Sequence, residues 1–251
     1  MVNKLYYGDN LDVLRRHIKD ETVDLIYLDP PFNSNATYNV LYREQDGSRA
    51  AAQIKAFEDT WHWDKSAAET YQEIVEAGGK VSQTMQAFRL FLGDNDMLAY
   101  LTMMAPRLVE LRRVLKPTGS IYLHCDPTAS HYLKLLMDAV FGVANYRNEI
   151  IWHYLKWSTG KFAFQKNHDV IFFYTKSKAH VFNQLFMPRA ASTIKRFGAA
   201  KIVSDYDETG KRIPSEVLAE ASAGARQDDV WDMSRVPPSS NSFLPRSRKF
   251  Y

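Results

Sequence analysis

The sequence predicts an α/β fold with a doubly wound sheet. Two nearly wholly apolar runs of strand length, "VDLIYLD" (23–29) and "SIYLHCD" (120–126), have the composition of strands buried on both faces of a parallel sheet. Segments with helical spacing of apolar residues lie between such runs. The alternation of strands and helices indicates βαβ units, whose crossovers are right-handed.

The N-terminal segment is predicted to form the first βαβ unit. "KLYYGDN" has the pattern of a short strand that ends in a Gly-Asp-Asn turn. "LDVLRRHI" has helical spacing, with Leu11, Leu14 and Ile18 on one face. The run 23–29 would then supply the second strand of the unit.

The middle of the chain predicts a loop and three helices. The segment from Asn33 to about Thr60 is polar and rich in turn formers, which indicates a mobile loop. "AAETYQEIVEAG" predicts a short helix that stops at Gly78 and Gly79. A longer amphipathic helix is predicted from about Asp96 to Leu115, and "HYLKLLMDAVFG" predicts another after the strand 120–126.

The last part of the predicted sheet is a hairpin. "NEIIWHY" and "HDVIFFYTK" have strand composition, and a basic loop at 156–167 joins them. The hairpin is expected to close the sheet. Beyond Ser177 the pattern becomes irregular, which predicts an α/β domain over residues 1–177 and an irregular recognition region over 178–236.

Composition favours an intracellular protein. Cys125 is the only cysteine, so no internal disulfide can form, as is usual in a reducing cytosol. No signal peptide and no apolar run of about 18 residues is present, which predicts no membrane partner. Length allows one large domain, or one domain with a smaller insert.

Basic charge is concentrated in one segment. Residues 151–201 contain nine Lys or Arg against Asp169 alone, a net charge of +8, whereas the rest of the chain carries −5. Aromatic residues alternate with these cations, a mixture suited to gripping phosphates and stacking on bases. The alternative is that this basic segment is only a solvated surface that covers the core. The candidate DNA contacts are Lys156, Lys161, Lys166, Arg189, Lys195 and Arg196.

The strand 23–28 is followed directly by Asp29-Pro30-Pro31-Phe32. In doubly wound folds, ligands bind beyond the carboxyl ends of strands. Each proline fixes its own φ and restricts the residue before it, so a carboxylate and a backbone carbonyl are held in a nearly fixed relation. Two fixed acceptors suit an aromatic primary amine, such as the exocyclic amine of a base turned out of duplex DNA. A tight structural turn is the alternative.

These motifs together resemble a known family. "DPPF" after "VDLIYL", with "GDN" upstream, is similar to motif IV of amino-type DNA methyltransferases of the circularly permuted β group. "LTMMAPRLVELRRVLKPTGSIYLHCD", "NEIIWHY", "NHDVIFFYTKS" and "DDVWDM" resemble later segments of that family. The resemblance implies a Rossmann-like, S-adenosylmethionine-dependent methyltransferase fold with a mixed sheet. It also implies site-specific methylation of double-stranded DNA in a prokaryotic restriction-modification system, in the cytoplasm and at the nucleoid.

The resemblance also implies roles for single residues. Asp29 would bind the amine and lie beside the cofactor, and Pro30 would accept from the amine through its carbonyl. Pro31 would stiffen the corner and Phe32 would stack on the base. An acidic first position favours adenine N6, with cytosine N4 as the alternative. No metal ion is implied.

A second pair of residues, Asp9 and Asn10 of "GDN", would border the cofactor, although capping of the following helix explains them equally well.

The glycine-rich turn that a methyltransferase uses to approach its cofactor is missing. None of the 11 glycines forms Gly-x-Gly. The permuted order places this turn after the recognition region, so residues 237–251 are expected to be the junction to an absent C-terminal cofactor segment. An incomplete sheet edge, weak cofactor binding and a complementing chain or homodimer are then expected. The alternative to an enzyme is a protein of a different functional class, namely a catalytically incompetent DNA-binding fragment or subunit.

Overall fold

A computed structural model describes residues 3–31, 37–39, 55–58, 61–156, 162–203, 206–211, 213 and 216–234. The chain divides into two compact units, the larger made of residues 1–181 and 230–251 and the smaller of residues 182–229. Their elements in chain order are α1 (Asn10–His17), β1 (Val23–Leu28), β2 (Thr37–Asn39), β3 (Lys55–Glu58), α2 (Lys65–Ala77), α3 (Gly79–Leu92), α4 (Asp96–Val114), β4 (Leu115–Cys125), α5 (Ser130–Phe141), a 3-10 turn (Val143–Asn145), β5 (Tyr146–His153), β6 (His168–Thr175), β7 (Phe186–Met187), α6 (Ala191–Phe197), β8 (Ala200–Val203), β9 (Glu216–Ala221), β10 (Ala225–Arg226) and β11 (Val230–Asp232).

The larger unit is built on a five-stranded mixed sheet in the order β1-β4-β6-β5-β11. β1 and β4 are parallel, β6 is antiparallel to both of its neighbours, and β11 is parallel to β5. The predicted α/β class with a mixed sheet is confirmed. The β5–β6 hairpin is also present, but the prediction that it closes the sheet was wrong, because β11 adds one more strand beyond β5.

One face of the sheet carries the main core. Leu123 of β4 shares a large buried cluster with Leu108 of α4 and Leu133 of α5. The helices of the larger unit therefore pack on the face to which Leu123 points. Because side chains alternate between the two faces of a strand, the residues before and after Leu123 point to the opposite face.

The opposite face carries a smaller cluster without helices. Ile150, Ile171 and Phe173 form this cluster, and Tyr122 and Trp152 pack against it. Tyr122 and Phe173 are stacked, with ring centroids 4.5 Å apart and planes within 4°. No described helix contributes a side chain to it.

At β1, this second face is open to solvent. Leu25 and Tyr27 are 60% and 59% exposed there, although an apolar strand in a doubly wound sheet was expected to be buried on both sides.

Helix α4 follows the prediction closely. It begins after Asn95, whose side-chain oxygen accepts from the Leu98 N–H at 2.9 Å, and it has Arg112 and Arg113 in its last turn. Both features stabilise a helix, by satisfying a free amide and by complementing the helix dipole. Leu115 then adopts an extended conformation, so the chain passes directly from α4 into β4.

The segment before α4 contains one predicted helix and one unpredicted helix. Helix α2 ends at Gly78, whose φ of 69° lies in the region that favours glycine. Helix α3 follows at once and was not predicted. Met85 and Phe88 lie three residues apart on its buried side, which is the helical spacing that the sequence offered.

Two N-terminal predictions were wrong. Residues 3–9 form no strand, and Leu5 and Tyr7 are 99% and 88% exposed. A strand is stabilised by a paired neighbour, and no described strand pairs with this segment, so the first βαβ unit does not form. The loop predicted from Asn33 to Thr60 contains the antiparallel pair β2–β3 in its described residues.

The smaller unit contains more regular structure than its sequence indicated. β7 pairs with β10 and β8 pairs with β9, both antiparallel, and α6 lies between β7 and β8 in the chain. Within the described part of the chain, no helix is long and apolar enough to cross a membrane.

We expect Leu101→Ala to lower the free energy of unfolding by about 2–5 kcal/mol, because Leu101 is fully buried in α4 and the change leaves a cavity. Leu90→Ala on α3 is the matched control, since Leu90 is 90% exposed, and its cost should stay near or below about 0.5 kcal/mol. Urea unfolding followed by circular dichroism measures both. Equal losses would contradict the assigned core.

Candidate active site at the end of β1

The Asp29-Pro30-Pro31 corner lies at one edge of the sheet. β1 ends at Leu28, so Asp29 is the first residue beyond the strand. The parallel strand β4 ends at the same edge, and β5 and β6 meet there through their connecting loop. Pro30 is buried and Pro31 is half-buried, whereas Phe32 lies outside the described residues. This edge therefore gathers the ends of four strands around one carboxylate.

Strand register brings Asp29 beside His124. Leu28 pairs with Leu123 across the parallel strands, so the next residue of each chain lies next to the other. Leu123 points into the helix-covered core, so His124 and Asp29 point to the opposite face. Asp29 Oδ1 lies 3.0 Å from His124 Nδ1, and the Asp29 side chain remains 59% exposed.

A second carboxylate lies on the other side of His124. His124 Nε2 is 3.5 Å from Asp169 Oδ2, and both side chains are only 8% exposed. The buried Tyr154 hydroxyl donates to Asp169 Oδ1 at 2.9 Å. The Trp152 ring packs beside the imidazole, with centroids 5.5 Å apart. We name Asp29, His124, Asp169 and Tyr154 the polar line, which runs from solvent into the protein.

The polar line determines the charge of His124. Burial alone lowers the pKa of this imidazole, but hydrogen bonds to Asp169 and Asp29 and the charges of these carboxylates raise it, to about 9. His124 is therefore an imidazolium at neutral pH. Tyr27 of β1 is affected by the same carboxylates, since burial first and then Asp29 and Asp169 raise the pKa of its phenol.

Sequence reasoning missed the role of His124. The sequence assigned His124 only to the predicted strand 120–126, and β4 does end at Cys125, but His124 also contacts Asp29. Cys125 points into the core, where burial raises the pKa of its thiol strongly. No group of side chains that could hold a metal ion occurs among the described residues. The sequence did contain one indication of a shared site: the predicted strands 23–29 and 120–126 both end in polar residues.

Asp9 and Asn10 are held by α1 and α4. Asp9 Oδ1 accepts from the Leu11 N–H at 2.7 Å, which caps α1, and Asp9 Oδ2 accepts from Arg107 Nη2 at 2.7 Å. Arg107 Nε also donates to Asn10 Oδ1 at 2.8 Å. No hydrogen bond joins this pair to Asp29 in the described part of the chain. The capping geometry is observed, and the cofactor role stays a prediction.

The loop between β5 and β6 presents cations and aromatic rings at the same edge as Asp29. Lys156 and Lys166 are exposed near its two ends, and Phe162 and Phe164 are fully exposed. The Lys156 ammonium lies 4.9 Å from the centre of the Tyr154 ring. Lys161 lies outside the described residues.

The remaining candidate DNA contacts belong to the smaller unit. Lys195 and Arg196 are exposed in the last turn of α6. Arg189 is half-buried and donates to the Ala200 carbonyl at 2.7 Å, so it links the segments on either side of α6. Arg189 thus has a structural contact besides its predicted role.

We expect Tyr154→Phe to destabilise the protein by about 1–3 kcal/mol, because the change removes the buried hydroxyl that donates to Asp169 Oδ1. The exposed Tyr7 offers the same substitution as a control with little expected effect. Denaturant midpoints measure both variants. Equal midpoints for Tyr154→Phe and Tyr7→Phe would show that the Tyr154 hydroxyl does not contribute to stability.

Comparison with known proteins identifies the family. The family model described as DNA methylase (N6_N4_Mtase) matches residues 23–244. The Mod subunit of the type III restriction-modification enzyme StyLTI from Salmonella typhimurium is 30% identical over 153 residues, covering 60% of this chain and 20% of that protein. The EcoPI Mod subunit from Escherichia phage P1 is 29% identical over 182 residues, covering 70% and 25%.

A solved structure named PvuII DNA methyltransferase (cytosine-N4-specific) has a TM-score of 0.40 and 12% identity, covering 95% of this chain and 59% of that chain. The chain spans about a fifth to a quarter of the length of the Mod subunits it matches. The family model covers most of the sequence, including the Asp29-Pro30-Pro31-Phe32 motif. As the resemblance predicted, the chain belongs to the N6/N4 DNA methylase family.

Proposed function

We propose that this protein takes part in methyl transfer from S-adenosylmethionine to the N6 amine of an adenine turned out of double-stranded DNA, within a restriction-modification system. The observation that carries the proposal is the exposed Asp29 carboxylate, fixed by His124 at the carboxyl end of β1 and followed by two prolines. Family membership and the similarity to Mod subunits support the same reaction class. The acidic residue at the first motif position favours adenine over cytosine.

The corner suits an amine because it offers acceptors. Asp29 can accept one amine hydrogen, and the Pro30 carbonyl can accept the other, while neither proline carries a competing N–H. S-adenosylmethionine, when bound, supplies an electrophilic methyl group. As the amine nitrogen bonds to the methyl carbon, the bond from that carbon to the cofactor sulfur would break, and the nitrogen would be positive until it loses a proton to solvent. An ionised carboxylate beside the nitrogen stabilises that charge. In this proposal Phe32 stacks on the turned-out base.

Two described residues are the candidates to border the cofactor. Asp9 and Asn10, the residues predicted to border it, are engaged by Arg107 and by α1. The sequence contains no Gly-x-Gly turn. In this proposal the described residues supply the groups that face the amine, and a second copy or another chain is a candidate partner for binding the cofactor.

The β5–β6 loop is the proposed DNA contact of the larger unit. Its cations lie at the sheet edge from which Asp29 emerges, so a duplex bound there would present its bases to the corner. Lys156 and Lys166 would neutralise phosphates, and Phe162 and Phe164 would stack on bases exposed when one base turns out. Lys195 and Arg196 are the proposed contacts of the smaller unit.

We expect Asp29→Ala to reduce methyl transfer by at least about 100-fold, because it removes the acceptor that orients the amine and stabilises its charge. Asp24→Ala is the matched control on β1, since Asp24 is 76% exposed and pairs with Lys116 at the surface. Transfer of labelled methyl to unmethylated DNA, followed by nucleoside analysis, measures both, with and without an added chain that carries the glycine-rich block.

Label in N6-methyladenine supports the proposal. Label in N4-methylcytosine would show that the methylated base is cytosine and not adenine. Equal rates for the two aspartate variants would remove Asp29 from the reaction.

We expect Lys166→Ala to weaken DNA binding and to reduce the slope of log K against log salt by about 1, because one phosphate contact is lost. Phe164→Ala should weaken binding without changing this slope, since stacking releases no counterion. Lys65→Ala on α2 is the control, because Lys65 is 90% exposed and lies on a helix. Fluorescence anisotropy at several salt concentrations separates the three variants. An unchanged affinity for both loop variants would exclude this loop as a contact.

A further inference from the structure

We propose that His124 is a positioning residue for methyl transfer, which turns the Asp29 carboxylate toward the amine and is itself held by Asp169 and Tyr154. The proposal deepens the proposed function and its activity measurements depend on that function. It stands on the geometry of the polar line.

The two oxygens of Asp29 have different surroundings. Oδ1 lies 3.0 Å from His124 Nδ1, whereas Oδ2 has no hydrogen-bond partner in the described part of the chain. The side chain is 59% exposed, so Oδ2 is open to a ligand. A carboxylate held by one oxygen loses most of its rotational freedom. His124 therefore determines where Oδ2 points.

His124 is fixed from its other side as well. Its Nε2 faces Asp169 Oδ2 at 3.5 Å, and Tyr154 occupies the remaining Asp169 oxygen. An imidazole can donate to two carboxylates only when both nitrogens carry protons. The carboxylates on either side of the ring therefore favour the imidazolium, and the imidazolium in turn orients both of them.

The position of the polar line on the sheet argues for a function beyond stability. The middle of this sheet face is aromatic and aliphatic, with Tyr122 stacked on Phe173 and Ile171 beside them. Buried ion pairs lose hydration, and apolar residues of similar volume often stabilise a protein equally well. The polar line is confined to the edge where Asp29 emerges, which is where a positioned carboxylate is needed.

The proposal predicts how the turnover number changes with pH, through the protonation of His124. The titratable groups that face it are Asp29 beyond β1, Asp169 on β6 and, through Asp169, Tyr154; Tyr27 of β1 lies on the same face. Above a pH of about 9 the imidazolium loses one proton, and the two carboxylates then compete for a single donor. The turnover number should therefore fall as pH rises through this value.

Two substitutions separate positioning from a structural role. The amide nitrogen of His124→Asn lies near the position of Nδ1 and can donate to Asp29, whereas that of His124→Gln lies near Nε2 and faces Asp169. We expect His124→Gln to lower kcat by about 10- to 100-fold with little change in KM for DNA, because the carboxylate is misdirected. His124→Asn should retain most of kcat and lose the alkaline decline. Urea unfolding reports any difference in stability between the two.

A spectroscopic measurement tests the same contact without enzymatic activity. We expect ¹⁵N-histidine NMR to show His124 titrating near 9 in the unmodified protein, and about one pH unit or more lower in Asp29→Asn, with the signal assigned by its loss in His124→Gln.

The outcomes distinguish this proposal from the proposed function. The proposed function would be wrong if the unmodified protein transferred no methyl group, either by itself or with the added chain that carries the glycine-rich block. The NMR titration would still test the His124–Asp29 contact in that case. A His124 pKa near the ordinary 6.5, or one unchanged in Asp29→Asn, overturns the positioning proposal. Equal kcat for His124→Gln and the unmodified protein also overturns it.

Discussion

The site depends on the parallel register between β1 and β4. Leu28 lies opposite Leu123, and both point into the core that the helices cover. Because side chains alternate along a strand, this register places Asp29 and His124 together on the opposite face. A shift by one residue would turn Asp29 into the core and separate it from His124. The packing of two leucines thus determines the partner of the motif carboxylate.

The sheet has two faces with different tasks. The face covered by α4 and α5 holds most of the buried apolar side chains and fixes the strands in place. The opposite face is aromatic in its middle, polar at the edge near Asp29 and open along β1, where Leu25 and Tyr27 are exposed. The candidate site lies on the face that bears fewer structural constraints, and a rigid core behind it holds the strand ends still.

Sequence patterns predicted what local periodicity encodes. The apolar spacing of α4, the strand 23–28 and the β5–β6 hairpin all depend on neighbouring residues, and the Asp29 motif follows a predicted strand end. The N-terminal strand was wrong because pairing is a long-range property, and "KLYYGDN" found no described neighbour. Helix α3 was missed although Met85 and Phe88 had helical spacing, because Gly78 and Gly79 interrupt the pattern just before it.

The role of His124 was hidden for the same long-range reason. His124 and Asp29 are 95 residues apart in the chain, and only the strand register brings them together. Asp169 joins them through a third strand, antiparallel to the second. No spacing within one segment encodes such a line. The sequence does show that each of the three residues lies at the end of a predicted strand, which becomes informative once strand order is known.

The charges of the polar line explain why a histidine suits the position between Asp29 and Asp169. A neutral side chain that donates only once could orient one of these two carboxylates and not the other. An imidazolium donates in two directions from one rigid ring, so it neutralises one charge and orients both groups. A lysine would bring the same charge on a flexible stem without fixing either direction. One negative charge then remains for the line as a whole, and the exposed oxygen of Asp29 presents it where an attacking amine would become positive.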